Sequence, residues 1–396
     1  MKLIRSPLEL ARWLLAAEMA ALLFSPPLTN LVELALYLLM LASGELRSRF
    51  ARAVRQPMVR GALLFLAVVT VGLAYSIGSR DDSFGMWWGW RKLLLLPIAA
   101  ALFDDPAWKR RLAWILVIVA TLCCLVSYAG ILLHLTYYLY EPGVVIRNHA
   151  TQGMIFSVAA FTAVLLLKAG TPTRAQRILL GAAALLLIAN AVFVTTGRSG
   201  YLVAAVLTVA LVPGWLDGNR TSLWRRLGFA FGALVLALAV LASSPVVRQG
   251  VLEGIHETQR ALHHSEAITP MSERVVYQRN TLELIAARPL FGYGTGAFTE
   301  AYRRHVAGRS GVDGLVAHDP HNQYLNIATE NGLLGLAVFI WFLAAALRQR
   351  SSPPYRLLGL GVLAAWCATS LFSSHFSTFS EGRFIALWMG AFLARE

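Results

Sequence analysis

The run LAWILVIVATLCCLVSYAGILLH at residues 112–134 carries no charged side chain, and a helix of about 20 such residues crosses a bilayer. Eleven further apolar runs accompany it, at 8–24, 28–43, 61–79, 88–103, 151–167, 178–196, 199–216, 227–243, 332–347, 357–373 and 383–395. Several are shorter than a perpendicular crossing needs, so their ends are soft and the last is the softest. One long polar stretch, 244–331, interrupts them. The pattern predicts an all-α polytopic membrane protein with about twelve transmembrane helices and one large, mostly helical loop. Its divisions are residues 1–243 with helices one to nine, 244–331 as the loop, and 332–396 with the last three helices.

Composition agrees with the span pattern. The 396 residues are 57% hydrophobic and only 14% charged, whereas soluble domains carry roughly a quarter charged residues. The first run begins with Lys2 and Arg5 but shows no A-x-A-type cleavage site before Pro26-Pro27, so it reads as an uncleaved helix. Cys123, Cys124 and Cys367 all fall inside apolar runs, which implies buried thiols and no disulfide framework.

A net charge of +14 suggests nucleic acid until it is laid on the spans. Alternate short turns are basic: Arg47, Arg49, Arg52, Arg55 and Arg60; Lys109, Arg110 and Arg111; Lys168, Arg174 and Arg177; Arg220, Arg225 and Arg226; Arg348, Arg350 and Arg356. The intervening turns are nearly neutral. This positive-inside alternation puts both termini in the cytoplasm and the 244–331 loop outside. The loop itself holds eight Arg against nine Asp plus Glu, so the basic excess reports topology and no nucleic-acid partner is expected. A bacterial inner membrane is the natural setting, with the loop facing the periplasm.

The chain shows no internal repeat, and ionisable residues within spans are scarce, with Glu18, Glu33 and His134 as the candidates. Both observations count against a carrier. The outer loop reads as helical over 246–262, 272–287 and 297–306, the second ending at Arg288-Pro289 because the residue before proline leaves the α region. Six of the nine histidines lie in it: His256, His263, His264, His305, His318 and His321.

Asp319-Pro320-His321 predicts a helix start, with Asp as N-cap, Pro at the first helical position and His321 in the first turn. The dipole there would keep the imidazole neutral, as a general base requires, or would attract a phosphate. The plainer reading is that His321 pads the helix start. His318-x-x-His321 invites a metal, but the break at Asp319-Pro320 spoils the geometry and no third ligand is placed, so none is expected. Thr195-Thr196-Gly197-Arg198-Ser199-Gly200 is an outer turn with one cation at the boundary; Arg198 either snorkels or presents its planar fork to phosphate. Ser272-Glu273-Arg274 places Arg274, Gln278 and Thr281 on one helix face and Arg279 on another; Arg274 either pairs with a carboxylate or serves a site. Gly292-x-Gly294-x-Gly296 follows no strand and reads as a tight turn, not a nucleotide fingerprint. Asp81-Asp82 reads as a solvated loop.

Taken in order, T-G-R-S-G between two spans, a long loop with S-E-R, R-P-L-F-G-Y-G-T-G-A-F, and P-H-N-x-x-L-x-x-x-x-E-x-G-L-L-G entering the next span resemble the O-antigen ligase and polymerase superfamily. The resemblance covers roughly residues 190–345, and the length and undivided loop look most like the ligase. It implies a GT-C-like, inverting glycosyltransferase that uses neither metal nor nucleotide cofactor. Such an enzyme moves O-antigen glycan from undecaprenyl diphosphate to a sugar hydroxyl of lipid A–core in lipopolysaccharide biosynthesis. By motif position His321 is implied as the catalytic residue and Arg198 and Arg274 as diphosphate ligands, with His318, Asn322, Arg279 and Tyr293 as supporting candidates. The absence of any D-x-D motif fits a metal-free reaction. The alternatives are a polymerase acting on undecaprenyl-diphosphate repeat units and, less well supported, a lipid or glycan transporter.

Overall fold

A computed structural model describes residues 6–135, 141–169, 171–212, 222–263 and 270–395. His264 therefore lies outside the described residues, as does the end of the expected 199–216 span. The described chain is helical with no strand. It begins with α1 (Pro7–Phe24), α2 (Pro26–Ala42), α3 (Gly44–Ala53), α4 (Pro57–Gly72), α5 (Arg80–Trp90), α6 (Leu95–Leu102), α7 (Pro106–Leu132) and α8 (His149–Lys168). There follow α9 (Arg174–Phe193), α10 (Arg198–Ala210) and α11 (Leu223–Ser243). The polar stretch holds α12 (Pro245–His263), α13 (Pro270–Ala287) and α14 (Phe298–His305), and the chain finishes with α15 (Gln323–Leu347), α16 (Tyr355–Thr369) and α17 (Phe379–Leu393).

Local sequence sets most of these starts. Ser6, Ser25, Ser43, Asp105, Asn148, Thr173 and Ser222 each cap a helix by accepting a backbone N–H from its first turn. Proline opens α1, α2, α4 and α7, where its missing N–H costs nothing.

Among the described residues, six helices are long and apolar enough to cross a membrane: α4 with its following turn, α7, α8, α9, α11 and α15. A seventh crossing results if α2 and α3, bent by 99°, are taken together. The twelve expected runs do not all reach that length. The 88–103 run is broken into the end of α5, a tight turn at Arg91–Leu94, and α6, while α10 and α16 are short apolar helices. The basic 47–60 turn contains α3, folded sharply off α2. The 332–347 run is the second part of α15, which begins at Gln323 within the polar stretch.

The central helix is α8, packed against α7, α9 and α10 and buried along most of its length. Outer faces of α2, α9 and α11 expose Leu31, Leu38, Leu179, Leu185, Phe231 and Leu236, the surface expected to meet lipid. Packed on α6 and α16, α17 is buried on every side, with Trp366, Phe384 and Trp388 stacked ring on ring at 5.4 and 5.3 Å.

Buried charge is more extensive than the sequence suggests. Arg383 of α17 sits 3.2 Å from Glu33 of α2, each with a side chain only 2% exposed. Arg91 joins the same carboxylate at 3.4 Å, and Glu18 of α1 is wholly buried nearby. Lys92, 1% exposed, donates to the backbone carbonyls of Ser377 and Thr378, the latter at 2.8 Å. Runs 88–103 and 383–395 carry Arg91, Lys92 and Arg383 of this network, so charge within the apolar runs goes beyond Glu18, Glu33 and His134.

Candidate active site

The Thr195–Gly200 turn is shaped by contact with the start of α8. A Cβ on Gly197 would lie 2.4 Å from Ala150 Cα, and one on Gly200 would lie 2.9 Å from Gly153 Cα. Glycine at both positions lets the backbones touch, and this fixes Arg198 at the first position of α10. The turn is held further by Thr196 N–H donating to His149 Nδ1 at 3.3 Å, while the opposite ring nitrogen meets Glu141. The Tyr201 hydroxyl donates to the Thr195 carbonyl.

The helix start expected at Asp319 lies three residues later. Asn322 is the N-cap of α15, accepting the N–H groups of Tyr324 at 3.0 Å and Leu325 at 3.1 Å. Asp319 Oδ1 instead accepts the His321 N–H at 2.6 Å, closing a turn over Pro320. His321 has φ 53°, a left-handed conformation that a helix cannot contain. It therefore stands just outside the helix, and the dipole explanation for its neutrality is corrected. Its imidazole pKa is lowered chiefly by burial and also by Arg274, against the opposing pull of Asp319 and Glu273.

Arg274 projects from the second turn of α13. Arg198, Arg274 and His321, from three separate elements, line one cavity of about 690 Å³. Ala150, Leu202, Thr369 and Phe372 give it an apolar wall, and Ser199, Ser373 and His375 add polar groups. Arg198 is exposed and Arg274 and His321 half-buried, so two guanidiniums and a neutral imidazole face a space open to solutes.

The glycine-rich turn has a structural task. Gly292, Gly294 and Gly296 all have positive φ, and a Cβ on Gly294 would lie 2.2 Å from Ser76 Cα. The turn threads between the end of α4 and a kink in α15 at Gly332 (φ 69°, ψ −178°). Tyr293 N–H donates to the Thr329 carbonyl at 2.9 Å, and Gly294 N–H to that of Glu330 at 2.8 Å. The Glu330 carboxyl is buried against this turn, beside the backbone of Gly296 and Phe298. The two motifs R-P-L-F-G-Y-G-T-G and E-N-G-L-L-G are thus the two sides of one interface.

The supporting candidates fall elsewhere. His318 is exposed, with Nδ1 3.4 Å from Thr299 Oγ1, and does not line the cavity. Arg279 pairs with Asp313. The Tyr293 hydroxyl donates to the Leu284 carbonyl at 3.3 Å while Arg288 stacks over its ring at 4.9 Å. Asn322 caps α15, as described, and so orients the segment that carries His321.

His375 is the site residue that sequence reasoning overlooked. It lies in the 370–378 connection, is 5% exposed, and brings Nε2 to 3.2 Å from Ser199 Oγ. That connection is stitched to the His321 segment. Ser374 Oγ donates to Asp319 Oδ1 at 2.9 Å, Gln323 N–H to the Ser370 carbonyl at 2.9 Å, and Gln323 Nε2 to Ser377 Oγ at 2.8 Å. The available signal was compositional: Ser373-Ser374-His375-Phe376-Ser377-Thr378 is a polar run between two apolar helices on the same side as the large loop.

Residues 182–340 match a protein-family model described as O-antigen ligase. The match contains Arg198, Arg274 and His321 and ends before His375. The match spans 159 of the 396 residues, and over that segment the chain is similar to the O-antigen ligase/polymerase superfamily. Comparison with curated proteins gave no match.

Proposed function

We propose, for a chain of the O-antigen ligase/polymerase superfamily, an inverting, metal-independent transfer of O-antigen glycan from undecaprenyl diphosphate to a sugar hydroxyl of lipid A–core. The observation that carries the reading is the convergence of Arg198, Arg274 and His321 on one cavity. The acceptor oxygen attacks the anomeric carbon as the bond from that carbon to the diphosphate oxygen breaks. The leaving diphosphate keeps the electron pair, and Arg198 and Arg274 meet its charge, so no general acid is needed. His321, held neutral, takes the hydroxyl proton. Attack opposite the leaving group inverts the anomeric centre.

The topology belongs to the same proposal. Short helices such as α10 and α16 complete about twelve crossings of a GT-C-like fold, divided at 1–243, 244–331 and 332–396. The basic turns put both termini on the cytoplasmic side of a bacterial inner membrane and the cavity on the periplasmic side.

The test is transfer by purified protein from undecaprenyl-diphosphate glycan to lipid A–core with EDTA present, comparing wild type with His321→Ala. Product on lipid A–core from wild type alone supports the reading. Lengthened glycan still on undecaprenyl diphosphate identifies a polymerase instead. Full transfer by His321→Ala removes the base assignment.

A further inference from the structure

We infer that His375 acts through Ser199 as a positioning residue, making the Ser199 hydroxyl a third donor, beside Arg198 and Arg274, for a diphosphate in the cavity. The inference rests on the glycosyl-transfer reading above and extends it to a residue beyond the matched 182–340 segment.

The two nitrogens of the His375 imidazole differ in their surroundings. Nε2 lies 3.2 Å from Ser199 Oγ, whereas Nδ1 is buried with no hydrogen-bond partner among the described residues. Burial, opposed by Glu381 and Asp319, holds the pKa below the usual histidine value, so the ring carries one proton. An orphaned N–H in a buried place costs more than an under-used acceptor. The proton therefore sits on Nε2 and is donated to Ser199 Oγ.

Ser199 must then send its own proton elsewhere. A helical serine usually turns it back to the carbonyl four residues earlier. Here Ser199 Oγ makes no such bond among the described residues, and the Thr195 carbonyl accepts the Tyr201 hydroxyl instead. Ser199 lines the cavity next to Arg198 in the first turn of α10, where a phosphate oxygen is the natural acceptor. The ring cannot swing away easily. Its connection is tied to Asp319 through Ser374, to α15 through Gln323 and to Lys92 through two carbonyls.

The experiment measures binding of undecaprenyl diphosphate to the purified full-length protein in detergent. The proteins are wild type, Ser199→Ala, His375→Ala, the double variant and His375→Gln, with thermal midpoints taken alongside. Each single alanine variant is expected to weaken binding about ten-fold, the scale of one charge-assisted hydrogen bond. The double variant should lose no more than the worse single, because the two side chains act as a unit. His375→Gln, which keeps an N–H donor, should recover most of the affinity, and in transfer assays the loss should fall on donor KM more than on kcat. Wild-type affinity in Ser199→Ala, or additive losses in the double variant, overturns the pairing alone. Absence of binding by wild type overturns the glycosyl-transfer reading itself.

Discussion

Asp319 and His321 are locked together by a single carboxylate oxygen: Asp319 Oδ1 accepts the His321 backbone N–H at 2.6 Å while also accepting the Ser374 hydroxyl at 2.9 Å. One atom thus holds the proposed base in its left-handed conformation and ties it to the connection that carries His375. Removing that oxygen should let the imidazole wander without emptying the cavity. Asp319→Ala is expected to lower the transfer rate by about a hundred-fold, the usual consequence of a misplaced reacting group, and to leave a folded, monodisperse protein. Near-wild-type turnover in the purified variant would show that the turn is dispensable.

The pH profile follows from burial. His321 titrates below the ordinary histidine value of about 6.5, and as a base it works in the neutral form. The acid limb of kcat/KM should therefore fall below pH 6.5, with activity retained where an exposed histidine would already be half protonated. The stability sign is the same. His321 and His375 are both depressed in the folded state, so the unfolded chain binds more protons below its own pKa. Stability should decline as pH drops from about 6.5 toward the folded values, a trend that thermal midpoints across that range would read directly.

Gly332 tests the interface between the two glycine motifs. It has φ 69°, and a Cβ there would lie 2.0 Å from the Leu290 carbonyl oxygen. Gly332→Ala should cost at least about 3 kcal/mol, since a positive-φ strain adds to a backbone clash. Gly181 in α9 has open space around it, so Gly181→Ala should be neutral or stabilising by up to about 1 kcal/mol. Equal melting of the two variants would contradict the packing described.

Gly197 tests the placement of Arg198. Its Cβ would meet Ala150 Cα at 2.4 Å and Ala150 N at 2.5 Å, so Gly197→Ala must push α10 away from α8. The expected result is at least about a ten-fold loss of donor affinity, as a displaced cation loses a charge-assisted bond. An unchanged donor KM would separate Arg198 from the diphosphate.

Lys92 tests the buried support under the site. Lys92→Met keeps the length but leaves the Ser377 and Thr378 carbonyls without their donor. A loss of about 2–5 kcal/mol is expected from two unsatisfied buried acceptors, together with reduced transfer because the His375 connection loosens. A melting midpoint equal to wild type would remove this anchoring role.

The helices of the polar stretch announced themselves through apolar spacing and through Arg288-Pro289. Arg198, Arg274 and His321 stood out as residue types in a fixed order, and the structure brings all three to one cavity. The start of α15 was misplaced because Asp319 and Asn322 are both good caps and both precede a turn; the His321 backbone, in a left-handed conformation, decides between them.

The sequence alone determined what depends on composition and local spacing: an all-helical, lipid-compatible chain, its basic alternation, its caps, and the order of its motifs. Those follow from transfer free energy and short-range hydrogen bonding, which act within a few residues. Tertiary structure alone decided the rest. It pairs Gly294 with Ser76, Gly332 with Leu290, Lys92 with Thr378 and Ser199 with His375, contacts spanning 42 to 286 residues. Such pairings are set by which backbones can approach and which buried polar groups must be satisfied, and neither condition is written in any one stretch of the chain.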